Sequence, residues 1–270
     1  LIVFGYKLCQ IIMMENKSFS GIIITYNEEG RISQCINSLN PFCSEILVVD
    51  SFSTDKTIEL AKKLGAKVIQ NEFNSHVKQK NFAIENAKND WIISIDADEL
   101  IQVKKGYDLI NKFNYNDKNK IYKLKRKNFY LGIWIEATSW KRDSSVRIFN
   151  RKKTNFVGSW VHDEINENNC DVIKLNEVFI LHWPYRNLSH HLNKINKYTD
   201  HLSFEMYQKN KKFKMYNLFL NPLFKFFKDY FLYGGWKLGV RGLILSINST
   251  FYVFLKYSKL WEKWEVDEKK

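Results

Sequence analysis

Three carboxylates follow directly on one apolar run, and their spacing suits a metal ion. Residues 91–95 are mostly isoleucine and predict a buried strand. Asp96, Asp98 and Glu99 come immediately after it. A strand covered on both faces has no structural need for three acids at its tip. Oxygen ligands spaced two residues apart suit Mg²⁺ or Mn²⁺, which bind through one or two carboxylates plus substrate phosphates. The pattern therefore predicts a metal–diphosphate site.

The excess of positive charge predicts an anionic partner. The chain of 270 residues carries 42 Lys and Arg against 29 Asp and Glu, a formal net charge of +13. Such a balance favours nucleic acid, an anionic membrane surface or phosphorylated substrates. An apolar share of 45% is enough for a real core. The length allows one large α/β domain, or a catalytic core with an appendage.

The cysteines and the apolar runs of the sequence indicate in which cellular compartment the protein works. The four cysteines, at positions 9, 35, 43 and 170, form no CxxC pair and have no metal-ligand spacing, which favours a reduced, cytoplasmic protein. Residues 1–12 are interpreted as an upstream extension. A signal peptide is the alternative, but Lys7 interrupts the apolar run and no small-residue cleavage site follows. The uncharged stretch 242–255 falls short of the roughly 20 residues that a spanning helix needs.

Strand-like runs alternate with helical patterns in the first hundred residues, which predicts βαβ crossovers and a parallel sheet. The predicted strands cover 21–25, 45–49, 67–70 and 91–95. The predicted helices cover 30–40, a segment with Ser53 or Thr54 as N-cap and Gly65 as its stop, and 75–88. Residues 121–180 predict an irregular, β-rich region. No GxGxxG or GxxxxGK[ST] motif occurs, so the sequence gives little reason to predict a dinucleotide-binding site or a P-loop.

Polar side chains collect where the predicted strands end. In sheets of this kind, ligands bind beyond the carboxyl ends of the strands. Three separate strands deliver polar groups to that edge: Thr25, Asn27 and Glu28 after the first, Asp50 and Ser51 after the second, Asp96 and Asp98 after the fourth.

Several short segments, taken in order, carry a family resemblance. They read IIITYNEE at 22–29, VVDSFSTD at 48–55, DADE at 96–99, QKNFA at 79–83, VRIF at 146–149 and VHD at 161–163. Together they resemble family-two glycosyltransferases with the GT-A fold, in the bacterial branch similar to lipopolysaccharide-core β-glucosyltransferases. RGL at 241–243 and FLKY at 254–257 also fit, so the resemblance covers nearly all of residues 20–262. DxD alone is a weak signal, whereas the ordered set is specific.

The resemblance implies a fold and a donor site. The fold is an α/β architecture of GT-A type: a mostly parallel nucleotide-binding sheet flanked by helices, a β-rich acceptor region and a helical C-terminal part. Asp96 would meet the ribose or the metal, and Asp98 would bind the Mg²⁺ or Mn²⁺ directly. The base and ribose would be framed by Thr25, Asn27, Glu28 and Asp50. The other implied donor-site residues are Ser51, Gln79, Lys80, Asn81 and Arg147, with Lys78, Lys80 and Arg147 as candidate cations for the diphosphate.

An inverting transfer needs a carboxylate on the acceptor side to deprotonate the acceptor hydroxyl. Asp163 aligns with the family's His-Glu pair, with Asp in place of the usual Glu. Glu164, the next residue, is the alternative base. His162 and His182 are candidates for orienting neighbouring groups, but a histidine satisfied within the structure is the commoner outcome. The six histidines do not have the spacing of a zinc site, so none is expected.

From about residue 188 the sequence turns helical, basic and aromatic. This mixture suits an interfacial membrane helix, or equally a helical cap that packs on the core with its lysines outside. The predicted organisation is an extension at 1–19, a GT-A domain at 20–187 and the helical region at 188–270. Within the GT-A domain, nucleotide-sugar binding falls at 20–100 and the acceptor region at 101–187.

The sequence thus predicts an inverting hexosyltransferase that uses a nucleotide-sugar, UDP-linked, at the inner face of the cytoplasmic membrane. Its acceptor would be a polysaccharide or a membrane glycolipid such as lipopolysaccharide core, and the protein would contact the anionic membrane peripherally. One alternative is a transferase that loads a polyprenyl phosphate with a sugar. Another is a basic nucleic-acid-binding protein, but no RNP-type or helix-turn-helix signature supports it, so no nucleic-acid partner is expected.

Overall fold

The structure, a computed structural model, describes residues 19–158 and 163–266. The predicted extension therefore lies outside the described residues except for its last residue, and His162 lies outside them too. The described chain divides into two compact units. Unit 1 comprises residues 19–126 and Ser144–His182, and unit 2 comprises Lys127–Asp143 and residues 183–266. The domain boundary at 187/188 stays a prediction.

Strands and helices alternate through the first half of unit 1. In chain order the elements are β1 (Phe19–Thr25), α1 (Ile32–Leu39), β2 (Cys43–Asp50), α2 (Thr57–Lys63), β3 (Lys67–Gln70), α3 (His76–Asn86), β4 (Trp91–Asp96), β5 (Glu99–Val103) and α4 (Leu109–Lys112). Strands dominate the next part of the chain: β6 (Lys120–Tyr130), β7 (Ile133–Trp134, in unit 2), β8 (Ser144–Asn150), β9 (Phe156–Gly158), β10 (Asp163–Ile165) and β11 (Asp171–His182).

The main sheet is parallel on one side and antiparallel on the other. Strands β3, β2, β1 and β4 are parallel neighbours. Strand β8 then pairs antiparallel with β4, and β6, β11 and β5 continue the sheet. The β-rich region thus extends the parallel sheet of the first hundred residues. The predicted α/β fold of GT-A type is confirmed, with a sheet that is mixed as a whole.

Apolar side chains cover both faces of this sheet. Neighbouring residues of a strand point to opposite faces, so Ile22 and Ile23 belong to different buried clusters. Helix α1 covers one face with a stripe in which every member is buried: Ile32, Cys35, Ile36 and Leu39. Both faces of the sheet are therefore largely apolar.

The second helix begins later than its sequence predicts. The N-cap of α2 is Lys56, so the assignment of Ser53 or Thr54 as N-cap is wrong. Those residues stay in the preceding loop, where the Ser53 backbone N–H donates to the Asp50 carboxylate at 2.8 Å. The predicted stop is confirmed, because Gly65 follows the C-cap with φ +81°, a conformation that favours glycine.

Unit 2 is mainly helical. It holds a 3₁₀ turn (Ser139–Arg142), α5 (Leu188–Gln208), α6 (Met215–Phe227), a π turn (Lys228–Leu232), a second 3₁₀ turn (Gly235–Leu238) and α7 (Val240–Glu265). Helix α5 begins at Leu188, which agrees with the prediction that the chain becomes helical from about residue 188. Two small apolar clusters lie in this unit, one around Tyr130, Ile135 and Leu245, the other around Met206, Tyr257 and Leu260. Across residues 19–158 and 163–266, no helix is long and apolar enough to cross a membrane.

Candidate active site

The strand register places the predicted acids at one edge of the sheet. Thr25, the last residue of β1, is level with Asp50, the last residue of β2. On its other side β1 pairs with β4, and Ile24 is level with Asp96. The polar groups predicted to collect at the carboxyl ends of three strands therefore lie within two strand spacings of one another.

A buried lysine links two of the predicted carboxylates. The ammonium of Lys80, on α3, lies 2.9 Å from Asp96 Oδ1 and 2.7 Å from Asp163 Oδ2. Only 3% of the Lys80 side chain is exposed. A single cation thus joins the predicted donor-side acid, Asp96, to the predicted acceptor-side base, Asp163. Glu164 is exposed, on the opposite side of β10 from Asp163.

Arg147 and Glu99 belong to the same cluster of charged residues as Lys80, Asp96 and Asp163. Arg147 Nη2 lies 3.6 Å from Asp96 Oδ2 and 2.6 Å from Glu99 Oε1. Glu99 is fully buried and also accepts from Arg126 Nη1 at 3.1 Å. Its other oxygen accepts from the backbone N–H of Asp96 at 3.0 Å, which fixes the turn after β4. Glu99 is one of the three acids of the predicted metal–diphosphate site, but its contact with two arginines was not predicted, and no sequence pattern indicated Arg126.

The ion pairs keep these groups charged. Burial alone would raise the pKa of Asp96, but Lys80 and Arg147 outweigh it and hold that pKa well below its usual value. Burial likewise works against the ionised form of Asp163, and Lys80 again outweighs it, so the pKa of Asp163 is lowered. Burial would lower the pKa of Lys80, yet the two carboxylates raise it. Asp96, Asp163 and Lys80 are therefore ionised at neutral pH.

Asp98 lies beside a histidine. His182 Nε2, at the end of β11, is 3.7 Å from Asp98 Oδ2, and both side chains are partly exposed. No group of three or more His, Cys, Asp or Glu in the described ranges is arranged to hold a metal ion. Mg²⁺ and Mn²⁺ need only one or two protein ligands when substrate phosphates supply the rest. The residues at Asp98 therefore fit an ion that binds together with a diphosphate.

The loops after β1 and β2 are bonded to each other. The Asn27 backbone N–H donates to Ser53 Oγ at 2.9 Å, and Asn27 Oδ1 accepts from the Thr54 backbone N–H at 2.8 Å. The Glu28 backbone N–H donates to Thr57 Oγ1 at 2.8 Å. Asp50, which is fully buried, accepts from the backbone N–H and the hydroxyl of Ser53. These bonds shape the predicted nucleoside pocket.

Two predicted donor-site residues on α3 bond to other parts of the protein. Gln79 Nε2 donates to Ser51 Oγ at 3.0 Å and to the carbonyl oxygen of Asn71 at 3.1 Å. The Asn81 side-chain amide donates to the carbonyl oxygen of Phe156 and accepts from its N–H, both at 2.9 Å. Asn81 thereby anchors β9 much as a neighbouring strand would. Substrate contact by Gln79, Ser51 and Asn81 stays a prediction.

Comparison with known proteins identifies the family of this chain. Residues 20–168, more than half of the chain, match the model of glycosyl transferase family 2. The chain belongs to this family. Membership makes the protein a glycosyltransferase that depends on a nucleotide-sugar donor, and it confirms the family resemblance found in the sequence.

Several family-2 relatives span most of the chain. An uncharacterized glycosyltransferase of Rickettsia typhi is 32% identical, over 91% of this chain and 87% of the relative. The lipopolysaccharide core biosynthesis glycosyltransferase LpsC of Rhizobium meliloti is 26% identical, over 93% of this chain and 94% of LpsC. Among solved structures, S. aureus TarS 1–349 in complex with UDP is 16% identical, with a TM-score of 0.45 over 92% of this chain and 91% of that one.

Proposed function

We propose that the protein is an inverting hexosyltransferase that moves a sugar from a UDP-linked donor to a saccharide on a membrane glycolipid. One observation supports this most strongly. Ionised groups from four separate elements, Lys80, Asp96, Arg147 and Asp163, meet in one cluster at the carboxyl edge of the sheet. Buried charges are costly to maintain, and clusters of them are typical of active sites.

The donor would lie over the ends of β1, β2 and β4. Thr25 Oγ1 is buried and has no hydrogen-bond partner among the described residues, so it is available to a donor atom. Asn27, Glu28 and Asp50 belong to the two bonded loops that would frame the base and ribose. Lys80 and Arg147 would place positive charge near the diphosphate.

Asp98 and His182 would hold the Mg²⁺ or Mn²⁺ ion, because they offer a carboxylate and an imidazole 3.7 Å apart. When bound, such an ion neutralises the negative charge that develops on the leaving diphosphate. Both Asp96 oxygens face cations of the protein, at 2.9 Å and 3.6 Å. Metal ligation by Asp96, the other predicted ligand, would have to compete with those contacts.

Asp163 would remove the proton from the acceptor hydroxyl. Its carboxylate is ionised, which is the state that a general base requires. Lys80 fixes its position relative to the strand end that carries Asp96. Glu164 is the alternative base. The two are separated by comparing Asp163→Asn with Glu164→Gln, since only loss of the base abolishes transfer while leaving donor binding intact.

A membrane glycolipid is the proposed acceptor for two reasons. The relative LpsC carries the name of a lipopolysaccharide core biosynthesis enzyme. In unit 2, moreover, helix α6 exposes an apolar stripe, defined here as the α6 stripe (Leu220, Leu223, Phe224 and Phe227), each residue of which is at least half exposed. Residues at i, i+3, i+4 and i+7 share one helix face. A contiguous apolar face next to many lysines suits peripheral contact with an anionic bilayer, at the inner face of the cytoplasmic membrane.

A thermal-shift panel of nucleotide-sugars with Mn²⁺ tests the donor assignment. A ligand that binds only the folded state stabilises it by about 2.7 kcal/mol at a hundred times its dissociation constant. We expect the unfolding midpoint to rise with a UDP-sugar plus Mn²⁺. No shift with any nucleotide-sugar would contradict the proposal. Transfer assays with core glycolipid and with polyprenyl phosphate then identify the acceptor, and exclusive use of polyprenyl phosphate would favour the alternative enzyme.

A further inference from the structure

Unit 2 contains a cavity that has no part in the chemistry described above. Its volume is about 540 Å³, and it lies between the 3₁₀ turn at Ser139–Arg142 and helices α6 and α7. Four cationic side chains line it: Arg142, Lys225, Lys228 and Lys256. A cavity lined by charges of one sign concentrates the electric field and attracts ions of the opposite sign.

The positive charge of this cavity is mostly uncompensated. Lys225 pairs with the buried Asp229, at 2.9 Å. No carboxylate lies within ion-pair distance of Arg142, Lys228 or Lys256 in the part of the chain that the structure describes. Burial lowers the pKa of Lys256, and the charge of Lys211 lowers it further. A bound anion would relieve the cost of holding these cations together.

Apart from the Lys225–Asp229 pair, aromatic and hydroxyl groups contact the cations of the cavity. The Arg142 guanidinium lies 4.2 Å from the centre of the Tyr233 ring, and Lys228 Nζ lies 5.3 Å from the same ring. Lys225 Nζ donates to Ser139 Oγ at 3.2 Å. Ring faces orient a cation without neutralising it. The cations of the cavity therefore remain available to an external anion.

The residues that line the cavity also indicate what kind of molecule contains the anionic group. Phe224 lines the cavity, is 62% exposed and belongs to the α6 stripe. The cavity is thus continuous with an exposed apolar helix face. A ligand that satisfies both features has an anionic head and an apolar tail. A free phosphate or a nucleotide would use the cations and leave the apolar stripe in water.

We propose that this cavity binds the phosphate group of a membrane lipid headgroup, while the α6 stripe inserts at the acyl boundary. The inference rests on the proposed membrane acceptor, since it supplies the contact that would hold the enzyme at its substrate's surface. Lipid phosphate oxygens would accept hydrogen bonds from Arg142, Lys228 and Lys256.

The test measures binding of the full chain to vesicles by sedimentation, without donor or acceptor. Vesicles of phosphatidylcholine are compared with vesicles that also contain phosphatidylglycerol. The variant is Lys228→Gln with Lys256→Gln, and its control is Lys62→Gln with Lys63→Gln, which removes the same charge from exposed positions on α2. Each basic residue at an anionic surface is worth about fivefold in binding, so we expect the cavity variant to bind about 25-fold more weakly and the control to change little.

Three outcomes would overturn the proposal. Equal losses in the cavity variant and in the control would show that only net charge matters. Inorganic phosphate that binds as tightly as the lipid, measured by calorimetry, would make the cavity a site for free anions. Loss of oligonucleotide binding in the cavity variant, with vesicle binding unchanged, would make the ligand a nucleic acid.

The proposed sugar transfer can fail separately from this inference. Transfer to a water-soluble oligosaccharide acceptor needs no vesicle, so the cavity variant should retain it. Absence of transfer by the wild-type protein, together with the expected vesicle result, would overturn the proposed function and leave the lipid site standing.

Discussion

Lys80 and Asp163 lie 83 residues apart in the sequence, and their side chains form a 2.7 Å ion pair. The same ammonium contacts Asp96, so one side chain on α3 sets the distance between the end of β4 and the start of β10. Helix α3 therefore does more than connect two parallel strands. It carries the cation on which the geometry of the proposed donor and acceptor sides depends.

Replacing Lys80 with Gln should destabilise the protein. Asp96 and Asp163, which are partly exposed, would then lose the buried ammonium between them, and breaking a buried ion pair from one side costs at most about 3–5 kcal/mol. The free energy of unfolding, measured with urea, reports the loss. Lys78→Gln is the matched control, because Lys78 is exposed on the same helix and should change stability by less than about 0.5 kcal/mol. Equal effects of the two substitutions would contradict the role given to Lys80.

Replacing Glu99 with Gln should damage both stability and turnover. The carboxylate accepts from Arg147 and Arg126, and an amide in its place removes the negative charge that both guanidinium groups contact. We expect a loss of about 3 kcal/mol in the free energy of unfolding. Glu85→Gln, at an exposed position of α3, serves as the control. A Glu99→Gln protein with unchanged stability and kcat would show that Asp96 needs no support from this residue.

The free energy of unfolding should decrease as the pH is lowered, because of His191 in unit 2. The imidazole is 3% exposed, and its Nδ1 lies 2.8 Å from the Tyr130 hydroxyl. Burial lowers the pKa of His191 to about 4, and the charges of Lys194 and His190 add to the effect. An unfolded histidine titrates near 6.5, so between about pH 6.5 and pH 4 the unfolded state binds the extra proton and stability decreases as pH falls.

The expected loss across that interval is about 3 kcal/mol, obtained from urea unfolding at several pH values. His191→Gln should remove most of this dependence. A smaller share should remain, because burial also lowers the pKa of His201. An unchanged pH dependence in His191→Gln would show that the imidazole is not held neutral by the fold.

Gly242→Ala should destabilise unit 2. A Cβ at this position of α7 would collide with the carbonyl oxygen of Gly235 in the second 3₁₀ turn. Backbone atoms cannot give way as a flexible side chain can, so the cost should reach about 3 kcal/mol, the upper range for overpacking. Gly30→Ala is the control, since a Cβ there meets nothing within 4 Å. Equal unfolding midpoints for the two variants would exclude this close approach.

Local patterns in the sequence predicted the elements well. The buried stripe of α1 follows directly from a helical period, and β3 begins and ends at Lys67 and Gln70 as predicted. The acids at the strand ends were also predictable, because parallel strands bring their carboxyl ends to one edge.

Long-range contacts were not predictable in the same way. Nothing near Asn81 in the sequence indicates that its amide bonds to the backbone of Phe156. The N-cap of α2 was missed because Ser53 has a distant competing partner in Asn27, in addition to Asp50. Likewise, Lys127–Asp143 belongs to the helical unit, although the surrounding residues are strands of the main sheet. Such features depend on which segments meet, and periodicity carries no information about that.

The most direct measurement is release of UDP from a UDP-sugar, with acceptor and Mn²⁺, by the wild type and by Asp98→Asn. Asp171→Asn, at an exposed strand position, is the control. Loss of the carboxylate proposed to bind the metal should lower kcat/KM by at least about 100-fold, and a chelator should stop the wild type and the control alike. Full activity of Asp98→Asn, or wild-type activity undiminished by the chelator, would contradict the proposed metal-assisted sugar transfer.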